Sequence, residues 1–453
     1  MFAGLALIFV LIPVHAFLST WAGSAWGNMD FWKSWKECVL VIVSVPMVVW
    51  LSLRPGRWRQ LLQDPLAWWI LAFIAVLVFL GLLNMHENGS RALLAGLASS
   101  GRYFLIFTLA YALFAYGRWD WPQIRRWAVK FLIGAGVVVA VFGIIQVLFL
   151  PLDFLSHFGY EKGVTISPYT LIDDNTDAPR AFATLRGPND FGAYLILPLL
   201  LTIILARKSR WFLLGTGVIL FAIFESSSRS AWAGALIAIA SLLVILLGGH
   251  VLMSRRWQLG LVGCAVLAVG IGIAALSIPS VRLEIFHSSP DDSSLTEGST
   301  SDHVRATSGG IMRVLANPMG CGAGCAGPAS YYSPSPKISE SYPVQIAEET
   351  GISGLILWIG ICVMVARRLW ARREDYLATA LLASFIGISA IALWLHTWAD
   401  DPLSLTWWVL AGALLGFYSV SRYDKQEQIT NKKPTLPTHA NQKTKKEALE
   451  ATD

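Results

Sequence analysis

Arg180, Arg186, Asn189 and Asp190 fall in one stretch, Arg180-Ala-Phe-Ala-Thr-Leu-Arg186-Gly187-Pro188-Asn189-Asp190, which ends a long polar segment and enters an apolar block. Arginine keeps its charge and grips phosphate oxygens bidentately, so this pair could face an anion held at a membrane surface. The plainer reading is a solvated loop, with Asn189 or Asp190 capping the helix that Pro188 opens. Ser226-Ser227-Ser228-Arg229-Ser230 joins two apolar blocks with almost no loop. An arginine there needs a counter-charge or a water-filled cavity, or else it snorkels to the interface. The serines could satisfy exposed backbone or hydrogen-bond a phosphate. Asp302-His303-Val304-Arg305 adds a second possible base, His303, and another cation, Arg305. The helix-like stretch that follows places Ile311, Met312, Val314 and Leu315 for one face on the membrane or on a helix bundle. Its sequel, Asn317-Pro318-Met319-Gly320-Cys321-Gly322-Ala323-Gly324, either brings backbone N–H groups to a ligand or is a turn needing special dihedrals. No Gly-Lys-Ser/Thr follows, so it is only a weak phosphate-loop signal. Cys321 and Cys325 could pair in an oxidising compartment. Glu340-Ser341-Tyr342 opens another apolar block, with Glu348 and Glu349 about two turns below. Glu340 is either functional or a charge matched to a helix N-terminus; Glu348 or Glu349 could pair with a buried arginine.

Several arginines and at least one carboxylate on one face suit sugar transfer from a lipid pyrophosphate. The leaving group needs positive charge and the acceptor hydroxyl needs a base. On that reading Arg180, Arg186, Arg229 and Arg305 bind the pyrophosphate and Glu340 is the catalytic group. His303, Ser341 and Asn189 are secondary candidates. The five cysteines form no zinc-like pattern, and no metal or cofactor is expected.

The elements that must position these residues are membrane helices. Of 453 residues, 55% are hydrophobic and 14% charged, against roughly 25% charged in soluble domains. A spanning helix needs about 20 apolar residues, and such blocks recur throughout, which argues against a soluble protein with a large core. They fall at about 2–19, 36–53, 66–84, 101–117, 130–150, 191–206, 211–226, 230–249, 258–278, 343–366, 376–396 and 403–421. The 20 Trp fit interfacial anchoring. The first block lacks a basic leader and a cleavage site, so it reads as a retained helix. Short basic loops alternate with loops poor in basic residues, as at Arg54, Arg57 and Arg59 or at Arg367, Arg368, Arg372 and Arg373. The positive-inside rule puts the basic set, with both termini, in the cytoplasm.

The fold class expected is therefore all-α, a polytopic protein of about twelve transmembrane helices. Residues 1–421 form the membrane domain. Long external loops cover about 151–190 and 278–342, the larger lying between helices 9 and 10, and 422–453 is a disordered cytoplasmic tail. The net charge of +6 reflects orientation, and nucleic acid is not an expected partner.

Over about residues 180–365 the chain resembles the O-antigen ligase and O-antigen polymerase family of bacterial envelope glycosyltransferases. The matching pieces, in order, are Arg180 with Gly187-Pro188-Asn189; Ser228-Arg229-Ser230; Asn317-Pro318 with Gly320, Gly322 and Gly324; and Glu340-Ser341, nine residues, Gly351, two residues, Gly354. The resemblance implies a GT-C-like helical fold in the bacterial cytoplasmic membrane. It implies an undecaprenyl-pyrophosphate-linked glycan used on the external face without metal, and Arg180 and Arg229 as the phosphate-side arginines. Ligases of the family carry His where this sequence has Glu340, and often Thr-Thr where Leu355-Ile356 stand here. The expected activity is thus polymerisation of O-antigen or exopolysaccharide repeats, in the company of other polysaccharide assembly proteins. The alternatives are ligation of the glycan to a lipid or other acceptor, and a transporter or flippase for lipid-linked glycans, although no half-to-half similarity is visible.

Overall fold

The computed structural model describes residues 1–53, 55–172, 175–248 and 298–431. The chain is mostly helical, and nine helices among the described residues are long and apolar enough to cross a bilayer: Phe2–Trp26, Trp35–Ser52, Pro65–Leu83, Ser90–Tyr116, Trp121–Leu148, Pro188–Lys208, Arg229–Gly248, Tyr342–Trp370 and Asp401–Ser419. Two further apolar blocks form shorter helices, Arg210–Glu225 and Tyr376–Ala392. The architecture is that of an all-α polytopic membrane protein. The ninth apolar block, 258–278, lies outside the described residues, as do the first part of the long loop before residue 298 and the chain after residue 431.

Several boundaries differ from the sequence expectation for physical reasons. The first block is interrupted by a 3-10 turn at Ile12–Val14, where Pro13 lacks an N–H for the α-helical ladder. The fourth helix starts at Ser90 rather than near 101, which puts Arg102 well inside it. The last helix continues to Asn431, because Asp424-Lys-Gln-Glu-Gln, expected as tail, is made largely of good helix formers. The loop after Leu148 carries a two-stranded antiparallel ribbon, with Leu171 opposite Pro179 and Ile172 opposite Asn175, followed directly by Arg180.

Contacts collect one set of links at one end of the bundle. Ser24 Oγ donates to Gly159 O at 3.1 Å, Asn88 Nδ2 to Cys321 O at 2.7 Å and Ala181 N to Glu225 O at 2.9 Å. The opposite end is clamped by ion pairs. Arg368 holds Asp64 through both terminal guanidinium nitrogens, Tyr111 OH adds a 2.9 Å bond to Asp64, and Arg125 pairs with Asp375. Burial by itself would raise the Asp64 carboxyl. Arg368, the Leu66 N–H and the Tyr111 hydroxyl outweigh it and hold the group below the usual carboxylate value. A carboxyl lowered by folding contributes stability above its unfolded value and loses it as pH falls through the folded one. The thermal midpoint should therefore drop below about pH 4, and Asp64→Asn should flatten that part of a midpoint-against-pH curve.

The glycine-rich turn splints a broken helix. At Gly351 the Tyr342–Trp370 helix leaves helical geometry, with φ 68° and ψ −176°. Groups released by the break are taken up by the turn. Cys321 N donates to Glu348 O at 2.8 Å, Gly322 N to Glu349 O at 3.0 Å, and Ile352 N to Pro318 O at 3.0 Å. Unpaired backbone is costly in hydrocarbon and persists only where protein satisfies it. The side chain of Glu349 takes part as well, accepting Gly324 N–H at 2.9 Å and Ser100 Oγ–H at 2.6 Å. Cys321 and Cys325 are disulfide-bonded across this turn. Gly324 has φ 81°, and a Cβ there would meet Ala92 O at 1.9 Å. Since the atoms met are all backbone of Ala92, Gly324→Ala should cost about 1–3 kcal/mol through overpacking, read as a lower unfolding midpoint in detergent.

Candidate functional site

The segment 180–187 is a non-helical loop buried in the end of the bundle. Ala181, Phe182, Ala183 and Leu185 are almost wholly inaccessible. Gln146 Oε1, from the end of the Trp121–Leu148 helix, accepts the N–H groups of Phe182 at 3.2 Å and Ala183 at 2.8 Å. Thr184 Oγ1 donates to Pro13 O at 2.9 Å. These contacts leave Arg180 and Arg186 at fixed exits from the loop.

Arg180 is half-buried. Its Nε donates to Ser226 O at 3.0 Å and its Nη2 to Asn189 Oδ1 at 3.3 Å. The same Oδ1 accepts the Ser228 hydroxyl at 2.7 Å, and Ser228 Oγ lies 3.1 Å from Ser230 Oγ. Two donors on one oxygen fix the orientation of the Asn189 amide. The Pro188–Leu205 helix is capped by Gly187 without a side-chain bond, so Asn189 ties Arg180 to Ser228 instead of capping. Burial, and then the charge of Arg229, push the Arg180 guanidinium down to about 10. Arg180 therefore stays charged at neutral pH and feels the positive charge of Arg229, so an anion beside it would be favoured.

Arg186 leads elsewhere. Its Nη2 reaches Asp401 Oδ2 at 3.3 Å, joining a buried cluster. Lys36 Nζ and His15 Nε2 each lie 3.2 Å from the same oxygen, and Arg102 pairs with Asp401 as well. Arg102 also donates to Glu37 Oε1 at 2.7 Å and to Ala399 O at 3.2 Å. Trp35 Nε1 donates to His15 Nδ1 at 2.9 Å. An indole N–H only donates, so the neutral ring carries its proton on Nε2, towards Asp401. Neighbouring Asp400 is buried too; burial pushes its carboxyl up, against the opposing charge of Arg186.

Glu340 precedes the Tyr342–Trp370 helix with φ 57°. Ser341 beside it is buried, and its carbonyl accepts Gln345 N–H at 2.9 Å. Tyr342 OH donates to Tyr103 OH at 2.9 Å. Because Tyr103 follows Arg102, one helix braces both the Glu340 segment and the Asp401 cluster. Four non-glycine residues among those described have positive φ: Asn28, Ala183, Ser227 and Glu340. Three of them lie in the 180–186, 226–230 and 340–341 segments. Such backbone costs about 1–3 kcal/mol each and clusters at functional sites.

The structure thus joins Arg180, Asn189 and Ser228, the residue before Arg229, and ties Arg186 to Asp401. Arg305 is exposed on the Gly298–Ala316 helix. His303 belongs to the same helix, and its side chain lies outside the described part. The glycine-rich turn donates its N–H groups within the protein, so the reading as a structural turn holds. Glu348 pairs with Arg313, as a membrane carboxylate requires, whereas Glu349 is met by Ser100 and Gly324. Sequence reasoning missed His15, Lys36, Glu37, Arg102, Asp400 and Asp401. Asp400-Asp401 in a tight hairpin, and Arg102 in an apolar block, were the available signals, since charges in such places need partners. No protein-family model and no curated protein matches the chain.

Proposed function

We propose that the chain is a metal-independent membrane glycosyltransferase of the O-antigen polymerase type. It extends undecaprenyl-pyrophosphate-linked oligosaccharide on the external face of the bacterial cytoplasmic membrane. One observation carries the reading: Arg180 and Ser228 both donate to Asn189 Oδ1, so one hydrogen-bonded set holds Arg180 against the turn that carries Arg229. The charge on a pyrophosphate rises as the sugar departs, so arginines that hold it stabilise the transition state more than the ground state. In the reaction the acceptor hydroxyl oxygen bonds to the anomeric carbon, the bond from that carbon to the pyrophosphate oxygen breaks, and the hydroxyl proton passes to the Glu340 carboxylate. Undecaprenyl pyrophosphate leaves. Glu340 is half-buried and holds left-handed backbone, a costly geometry that clusters at functional sites and favours a role for this residue.

The twelve-helix count, the GT-C-like fold and cytoplasmic termini belong to the same proposal. A transporter would use the break at Gly351 as a substrate or ion site; here its backbone groups are taken by Cys321, Gly322 and Pro318. Glu340→Gln should lower chain extension by about 100-fold or more while leaving lipid-linked substrate binding intact, as measured by product length and by direct binding. Extension at the wild-type rate would remove Glu340 from the chemistry.

A further inference from the structure

The Gly298–Ala316 helix was expected within an external loop, yet its contacts carry it down the side of the bundle. A Cβ on Gly310 would meet Val344 Cγ1 at 2.6 Å; Arg313 pairs with Glu348; Pro318 O accepts Ile352 N–H. These three steps advance together along both segments, so the helix runs beside the first half of the Tyr342–Trp370 helix in the same direction. The following turn lies inside the ends of two further spanning helices: a Cβ on Gly322 would meet Leu80 O at 2.5 Å, and one on Gly96 would meet Gly324 N at 2.1 Å. The segment therefore re-enters the depth of the spanning helices.

Its opposite face is apolar, and none of the described residues covers it. Val304, Ile311, Met312 and Leu315 share one side at helical spacing, away from Gly310 and Arg313. Met312 and Leu315 are 65% and 66% exposed, and Met319, just beyond the helix, 72%. The strip does not stop there. Pro318 bonds Ile352, and exposed Ile352, Ile356, Ile359 and Val363 continue it down a helix that faces lipid. Water on this surface would be costly, and a strip continuous with the lipid-facing surface of a spanning helix fits acyl chains.

We propose that the second half of the Gly298–Ala316 helix, from about Gly310, is embedded in the bilayer as a re-entrant element, with Ile311, Met312, Leu315 and Met319 against lipid acyl chains and Arg305 left at the water-facing end. The inference stands on the membrane-spanning helices and is independent of glycosyl transfer. The test is nitroxide accessibility in lipid nanodiscs. Labels go singly on Met312→Cys and Leu315→Cys in a chain whose Cys38, Cys264 and Cys362 are replaced by serine. Ile359→Cys serves as the lipid reference and Ser335→Cys, exposed in the loop, as the water reference. The expected result is accessibility to oxygen with shielding from a water-soluble nickel chelate, matching Ile359→Cys. Chelate accessibility like that of Ser335→Cys overturns the proposal. Shielding from both probes also overturns it, whether a second copy, shown by spin–spin broadening, or another part of the chain covers the face.

Discussion

Arg180→Ala is expected to lower chain extension by about 100- to 1,000-fold, the loss typical of deleting one pre-organised charge-stabilising donor. Among the described residues the side chain donates to Ser226 O and Asn189 Oδ1, so part of any loss could come from a loosened 226–230 turn. Arg180→Lys separates the two effects. Lysine keeps the charge but not the planar fork, so it should recover part of the rate if the residue faces phosphate. Asn189→Ala should fall between wild type and Arg180→Ala, because it frees both Arg180 and Ser228 without removing charge. Rates are to be read beside unfolding midpoints, and a variant with a wild-type midpoint and a lost rate places the defect in the reaction.

The largest effect on stability is expected at Asp401. This carboxylate is fully buried and faces Arg102, Lys36, Arg186 and His15. Removing one partner from a buried ion cluster leaves uncompensated charge and costs about 3–5 kcal/mol. Asp401→Ala should therefore lower the unfolding midpoint in detergent strongly, and Asp401→Asn nearly as much, since the amide keeps the shape but not the charge. Adding Arg102→Leu to Asp401→Leu should restore only part of the loss, because Lys36 remains buried beside Glu37. Equal stability of Asp401→Ala and wild type would mean that the cluster is hydrated and held open by water.

The helices were legible because hydrocarbon demands long apolar runs, and every apolar block within the described residues forms a helix. Their ends were less so. The Ser90–Tyr116 helix begins among polar residues, so hydropathy placed its start after Arg91 and left Arg102 at an edge. The resemblance put Arg180 and Asn189 in one piece and Ser228-Arg229-Ser230 in another, and three-dimensional structure supplied the Asn189–Ser228 hydrogen bond that links the two. The Asp401 cluster was not legible: its members come from four helices and from the loop before Pro188, and nothing in local spacing says which buried acid meets which base. The glycine-rich turn shows the opposite difficulty. Its N–H groups looked available for a ligand until the break at Gly351, a single residue distant in sequence, claimed them.

The most direct measurement is chain extension by the purified protein in liposomes supplied with undecaprenyl-pyrophosphate-linked repeats and no nucleotide. Longer lipid-linked glycans with wild type, and their loss in Arg180→Ala and Arg229→Ala at unchanged folding, are the results predicted here. Repeats that cross the bilayer without being joined, or extension that survives both substitutions, would contradict the account.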